Sequence, residues 1–227
     1  MRIQCGIFDF DGTLFDSMYI WDTVGEVYLR SRGREPAPGL AQVVQAMSLD
    51  QSARYFQREY GLDLPVGEIV AGINRVVERF YTREVQPKPG VRAFLQALEK
   101  TGVSLCIATA TDRPLIEAAL ARCGMGGYFR AIFTCGEVGH GKDEPVIFRR
   151  AMGFFGANRE HTIVFEDALH AARTAKEDGF ALAAVHDSSE PRQRELRALA
   201  DCYIPDFAHT EEFWNFASGE SMGTVPV

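Results

Sequence analysis

No stretch of this chain is long and apolar enough to cross a bilayer. The longest purely apolar run, Phe180–Val185, is six residues, against about 20 for a spanning helix. Cysteine is scarce and scattered. Cys5, Cys106, Cys123, Cys135 and Cys202 are odd in number and include no CxxC pair, which argues against a zinc ribbon and a disulfide framework. Cys5 and Cys106 sit inside apolar runs, where a reduced thiol behaves as a small hydrophobe. Positive charge is short as well. The 24 Lys and Arg face 31 Asp and Glu, a net charge of −7, with no basic cluster, so a phosphodiester backbone is not an expected partner. With 21 Gly and 10 Pro in 227 residues, collagen-like and low-complexity classes are excluded. The opening MRIQCGIFDFDGTLFDS has no apolar stretch of signal-peptide length. The expectation is a cytoplasmic protein that binds neither membrane nor nucleic acid.

What is present is an ordinary globular composition, 46% hydrophobic and 24% charged. Short runs at Ile3–Phe8, Val103–Ala108, Ala131–Thr134, Thr162–Phe165 and Ala181–Val185, with a weaker one near Tyr203, are apolar nearly throughout. That pattern predicts strands covered on both faces, as in a parallel sheet. Helical spacing separates them: Val91, Phe94, Leu95 and Leu98; Leu115, Ile116 and Leu120; Ile147, Phe148, Ala151, Met152 and Phe155. The alternation predicts an α/β fold with a doubly wound parallel sheet. One region breaks it. Between Ser17 and Val85 there are helical stripes, Ile20, Val24, Val27 and Ile69, Ile73, Val76, Phe80, and no strand pattern. The expected organisation is an α/β core of residues 1–16 and 87–217 with a four-helix-like insert at 17–86. Gln86–Gly90 would be the return linker and 218–227 a fraying tail. Helical spacing also places Trp21 in the insert's core.

The strongest chemical signal is Asp9-Phe10-Asp11-Gly12-Thr13, directly after an apolar run. Carboxylates at i and i+2 at the carboxyl end of a strand lie near the crevice where open α/β sheets bind ligands. Two of them suit a hard cation such as Mg2+, and Gly12 allows a sharp turn. Three further segments stand at expected strand or loop ends: Leu105–Thr109, Gly141-Lys142-Asp143, and Thr162–Asp167 with its closing Glu166-Asp167. Each has an ordinary reading: an Asp-x-Asp-Gly turn, a capping hydroxyl, a surface lysine, an acidic helix start. Their order along one expected sheet is the specific feature. His140 and His170 flank the site in sequence, but the acids already suffice for a Mg2+ site.

These four segments, with DFDGTLFDS, KPGV and FED…AKEDGF, resemble the haloacid dehalogenase superfamily of phosphotransferases over nearly the whole chain. The subgroup is the one with a helical cap that contains β-phosphoglucomutase and phosphoglycolate phosphatases. The resemblance implies a Rossmann-like core and a Mg2+-dependent phosphatase acting on a small phosphorylated metabolite. It implies that Asp9 is the nucleophile forming an aspartyl phosphate and that Asp11 is the acid and base. Thr109 and Lys142 would hold the phosphoryl group, with backbone N–H groups near Gly12 and Ala110. Asp9, the Asp11 carbonyl, Asp167 and, directly or through water, Glu166 would hold the metal. Ser17, Tyr19, Ser48 and Asp50 are candidate substrate contacts in the cap. The chain departs from the family in two places. Lys142 is followed by Asp143-Glu144-Pro145 rather than a Pro-x-Pro-Asp run, and the acidic pair by Ala168 and Ala171 rather than Ser and Gly.

A metal-independent dehalogenase is disfavoured by Asp11 and Glu166-Asp167. A sugar-phosphate mutase stays as the alternative, although Ala46–Asp50 carries an acid where such caps carry an Arg. An alternative of another class is a non-catalytic phosphate-binding or receiver-like module, which needs no built-in acid and base. The oligomeric state, monomer or dimer, is left open by the residues.

Overall fold

The computed structural model describes residues 3–44, 47 and 49–219. The apolar runs pair as expected. The strands are β1 (Cys5–Phe8), β4 (Ser104–Thr109), β5 (Ala131–Thr134), β6 (Thr162–Glu166), β7 (Ala181–Val185) and β8 (Cys202–Ile204). They form one parallel sheet in the order β5-β4-β1-β6-β7-β8. This is an α/β Rossmann-like fold, because helices cover both faces. Alternation along β1 decides which residue meets which face. Cys5 and Ile7 pack with Phe148 and Ala151 of α8 (Val146–Phe154) and Ala171 and Ala175 of α9 (Leu169–Glu177). Phe8, on the opposite face, stacks on Phe165 at a ring separation of 3.9 Å. Phe94 of α5 (Val91–Lys100) and Phe213 of α11 (Glu211–Ser218) close over that pair.

Two differences from the sequence reading are local. Gln86–Pro87 is not a plain linker: it forms β3 and pairs antiparallel with β2 (Phe15–Asp16), a ribbon too short to show alternation. The last helix also runs through Ser218, one residue into the expected tail, and Gly219 closes it at φ +77°. Residues 220–227 lie outside the described part. Gly90 opens α5 at φ +84°, and a Cβ there would stand 2.6 Å from the Phe207 backbone. Only glycine fits that approach.

The chain divides into two compact units, residues 1–16 with 86–227 and residues 17–85. Among the described residues the elements of the second are all helices: α1 (Tyr19–Ser31), α2 (Leu40–Val44), α3 (Leu49–Tyr60) and α4 (Val66–Arg83). Its core gathers Tyr28, Leu29, Leu40, Phe56, Ile69 and Ile73. Trp21 and Val27 are not in it; they are 45% and 43% exposed. Glycines decide the packed face of α1. Gly25 lets Phe56 close in, and the Tyr28 ring lies against Gly72, so closely that a Cβ there would meet it at 2.4 Å. The helix therefore buries Tyr28 and Leu29 rather than the Val27 side.

Candidate active site

The order of the sheet places the carboxyl ends of β1, β4 and β6 side by side, where the connections leave in opposite directions. Such a switch point opens a crevice. Asp9 extends β1 by one residue, its N–H donating to Phe165 O at 2.9 Å. The chain then turns tightly: Gly12 stands at φ +77°, and Leu14 and Phe15 N–H groups both donate to Phe10 O.

Four sequence-predicted side chains meet here, all buried: Asp9, Lys142, Glu166 and Asp167. The Lys142 ammonium donates to Asp9 Oδ1 and, at 2.7 Å, to Glu166 Oε1. Glu166 Oε2 accepts the N–H groups of Asp167 and Ala168 at 2.9 and 3.1 Å. Thr109, at the end of β4, is fully buried and its Oγ1 accepts the Thr111 N–H at 3.1 Å. Ala110 is exposed beside it. Ser17, Tyr19 and Asp50 belong to the helical unit: Ser17 is buried, Tyr19 half-exposed and Asp50 exposed. Ser48 lies outside the described residues.

Two threonines were given no part by the sequence. Thr111 Oγ1 donates to Asp11 Oδ2 at 2.7 Å, and Thr13 Oγ1 donates to Asp167 Oδ1 at 2.8 Å. The T-x-T spacing at Thr109–Thr111 was the available signal for the first. The second answers the departure at Ala168, since the hydroxyl that supports the acid arrives from the β1 turn. The acids after Lys142 turn away from it. Asp143 and Glu144 are exposed, and Glu144 meets His140 Nδ1 at 3.2 Å. Lys88, of the KPGV segment, pairs with Asp187 at 2.8 Å just beyond β7.

The electrostatics are unbalanced. One buried cation faces three buried carboxylates. Burial, reinforced by Glu166 and Asp11, pushes Asp9 up to about 8 despite Lys142. Burial and the neighbouring Glu166 and Asp9 likewise hold Asp167 well above the usual carboxylate range, against the Thr13 hydrogen bond. Burial opposes the charge on Lys142, but Asp9 and Glu166 outweigh it and its ammonium is strengthened. An excess of buried negative charge with all-oxygen donors fits a hard divalent cation. Carboxylate oxygens of Asp9, Glu166 and Asp167 lie within 4.8 Å of one another. Both Glu166 oxygens are engaged by hydrogen bonds, which leaves Asp9 and Asp167 the freer donors.

The imbalance sets a pH dependence. An acid with a raised folded value binds more protons folded than unfolded, so its contribution to stability falls as pH rises. For Asp9 the loss runs from its ordinary 3.8 to about 8. In chelator-treated protein the melting temperature is expected to drop across that window, with a shallower slope in Asp9→Asn. A wild-type slope no steeper than the variant's would contradict it.

Comparison with known proteins follows the same lines. The family model for haloacid dehalogenase-like hydrolases matches residues 3–179. A Drosophila melanogaster protein named "Probable pseudouridine-5'-phosphatase" is 27% identical over 217 residues, covering 88% of this chain and 90% of that protein. The crystal structure of CbbY from Rhodobacter sphaeroides in complex with phosphate superposes with a TM-score of 0.71 at 22% identity, covering 92% and 96% of the two chains. That of β-phosphoglucomutase from Clostridium difficile gives 0.68 at 16%, covering 96% and 98%.

Proposed function

The chain belongs to the haloacid dehalogenase-like hydrolases, and on that footing we propose that it is a Mg2+-dependent phosphatase of small phosphate monoesters that works through an aspartyl phosphate on Asp9. The observation that carries this reading is the Lys142 ammonium, buried between Asp9 and Glu166 at the strand ends.

In the first half-reaction an Asp9 carboxylate oxygen attacks phosphorus as the ester P–O bond breaks. Asp11 gives its proton to the departing oxygen, which leaves as an alcohol. In the second, Asp11 takes a proton from water, whose oxygen attacks the aspartyl phosphate; inorganic phosphate departs and Asp9 is restored. Magnesium held by Asp9, Asp167 and the Asp11 carbonyl would supply the positive charge that keeps Asp9 ionised and offsets its repulsion with the substrate. Lys142 neutralises charge spread over the phosphoryl oxygens. Thr109 accepts from the Thr111 N–H, and with no acceptor for its own O–H among the described residues it can donate to the phosphoryl group. Glu166 serves as the anchor of Lys142. The Thr111 hydroxyl orients Asp11, which supports a working acid and base rather than a silent phosphate sensor.

The experiment is phosphate release with Mg2+ from a panel of sugar phosphates, nucleoside 5′-phosphates, phosphoglycolate and an aryl phosphate, with a hexose 1-phosphate followed for isomerisation. Release from at least one ester, abolished by chelator and restored by Mg2+, is expected. No release from any ester would overturn the reading, and isomerisation outpacing release would favour the mutase. Thr111→Val is expected to lower kcat by about 10–100-fold, the range of a misaligned acid and base, with KM nearly unchanged. A rise in KM at constant kcat would place Thr111 in binding instead.

A further inference from the structure

The helical unit holds a cleft of its own. Its volume is about 450 Å3, and every residue lining it lies between Tyr19 and Glu84. It is lined from both α1 and α4. Val27, Val76 and Phe80 make apolar walls, and the Tyr19 ring stands edge-on to Phe80 at 5.0 Å.

The charged lining is mostly cationic. Arg32, Arg75 and Arg79 face the cleft with one carboxylate, Glu84. Arg79 pairs with Glu84 at 3.3 Å, Arg32 lies 5.3 Å from the Tyr28 ring centre, and Arg75 has no ion pair among the described residues. Arg75 and Arg79 are one turn apart on one helix face, an arrangement that repels. Three arginines against one glutamate leave a local excess of two positive charges, in a chain whose net charge is −7.

A second observation points the same way. Tyr28 lines this cleft, is 1% exposed, and its hydroxyl has no hydrogen-bond partner among the described residues. It sits against Gly72, which also lines the cleft. A buried hydroxyl left unpaired is costly, and an acceptor entering here would satisfy it.

We propose that this cleft binds a small organic phosphate as an effector, distinct from the substrate at the acidic cluster. A phosphate monoester carries a charge of about −1.5 to −2 at neutral pH, which matches the excess; a carboxylate would neutralise half of it. Guanidinium forks suit phosphoryl oxygens, and Val27, Val76 and Phe80 receive the apolar body. The cleft shares no residue with Asp9, Asp11, Lys142 or Asp167, so the inference stands apart from the catalytic reading.

The probe is phenylphosphonate, whose C–P bond is not an ester and is not cleaved. Titrated into the full chain in chelator, with calorimetry and amide NMR, it is expected to bind one-to-one. Shifts should gather in Tyr19–Arg32 and Gly72–Arg79. Arg75→Ala with Arg79→Ala is expected to weaken binding at least tenfold with an unchanged melting temperature, and Tyr28→Phe severalfold. Benzoate should bind more weakly and benzyl alcohol not measurably. No saturable binding at millimolar probe, shifts confined to the surroundings of Asp9, or affinity indifferent to the arginines would each overturn the proposal. Phosphate release with Mg2+ is measured separately, so either reading can fail alone.

Discussion

Asp9→Asn is expected to end turnover, with phosphate release from any accepted ester falling by at least ~10³-fold. The amide has nearly the shape of the carboxylate, and its oxygen still accepts from Lys142, so the pocket is kept. The proposed anionic nucleophile is lost, and Glu166 is not placed to replace it, being tied to Lys142 and two backbone N–H groups. The same change removes a carboxyl that burial and like charge push up to about 8. Metal-free Asp9→Asn should therefore melt no lower than the wild type at pH 8.5. Loss of activity with retained stability separates chemistry from misfolding. Activity within tenfold of the wild type would exclude Asp9 as the nucleophile.

Lys142→Met carries the second large effect, on two axes. On the proposed mechanism, removing the ammonium takes the fixed positive charge from the phosphoryl oxygens, and kcat is expected to fall by about 10²–10³-fold, the cost of a preorganised donor. It also leaves Asp9 and Glu166 buried without a counter-charge. Breaking a buried pair from one side costs about 3–5 kcal/mol. Adding Glu166→Gln should return part of the stability while activity stays low, since one of the two stranded charges is gone and the other is not. Denaturant unfolding of the two single variants and the double measures the coupling. Strictly additive losses would mean that Lys142 and Glu166 do not act on each other.

The acids and the lysine were legible in the sequence because each ends a strand or sits in the loop before a helix, positions that apolar runs mark plainly. The sheet was legible for the same reason: its inner strands are buried on both faces and carry no alternation to mislead. Thr111 and Thr13 were not, because their partners, Asp11 and Asp167, are set by how two turns approach each other rather than by spacing along the chain. The buried face of α1 was misread because apolar side chains suggested one stripe, whereas Gly25 and Gly72 permit closer approach along another. The ribbon of β2 and β3 was missed because two residues show no period.

The hydrogen bond from Thr13 to Asp167 joins positions 154 residues apart, and Lys142 reaches Asp9 across 133. The strand made first thus gains its second neighbour only when β6 is made. During synthesis Asp9 waits until β6 has emerged, while the helices of residues 17–85, whose partners are near in sequence, can assemble beforehand. On the proposed mechanism, a ribosome-bound chain stopped before Asp167 has Asp9 but no site around it, and is expected to cleave no ester. Closing such long loops also predicts slow acquisition of the active core, with activity trailing helix formation on refolding.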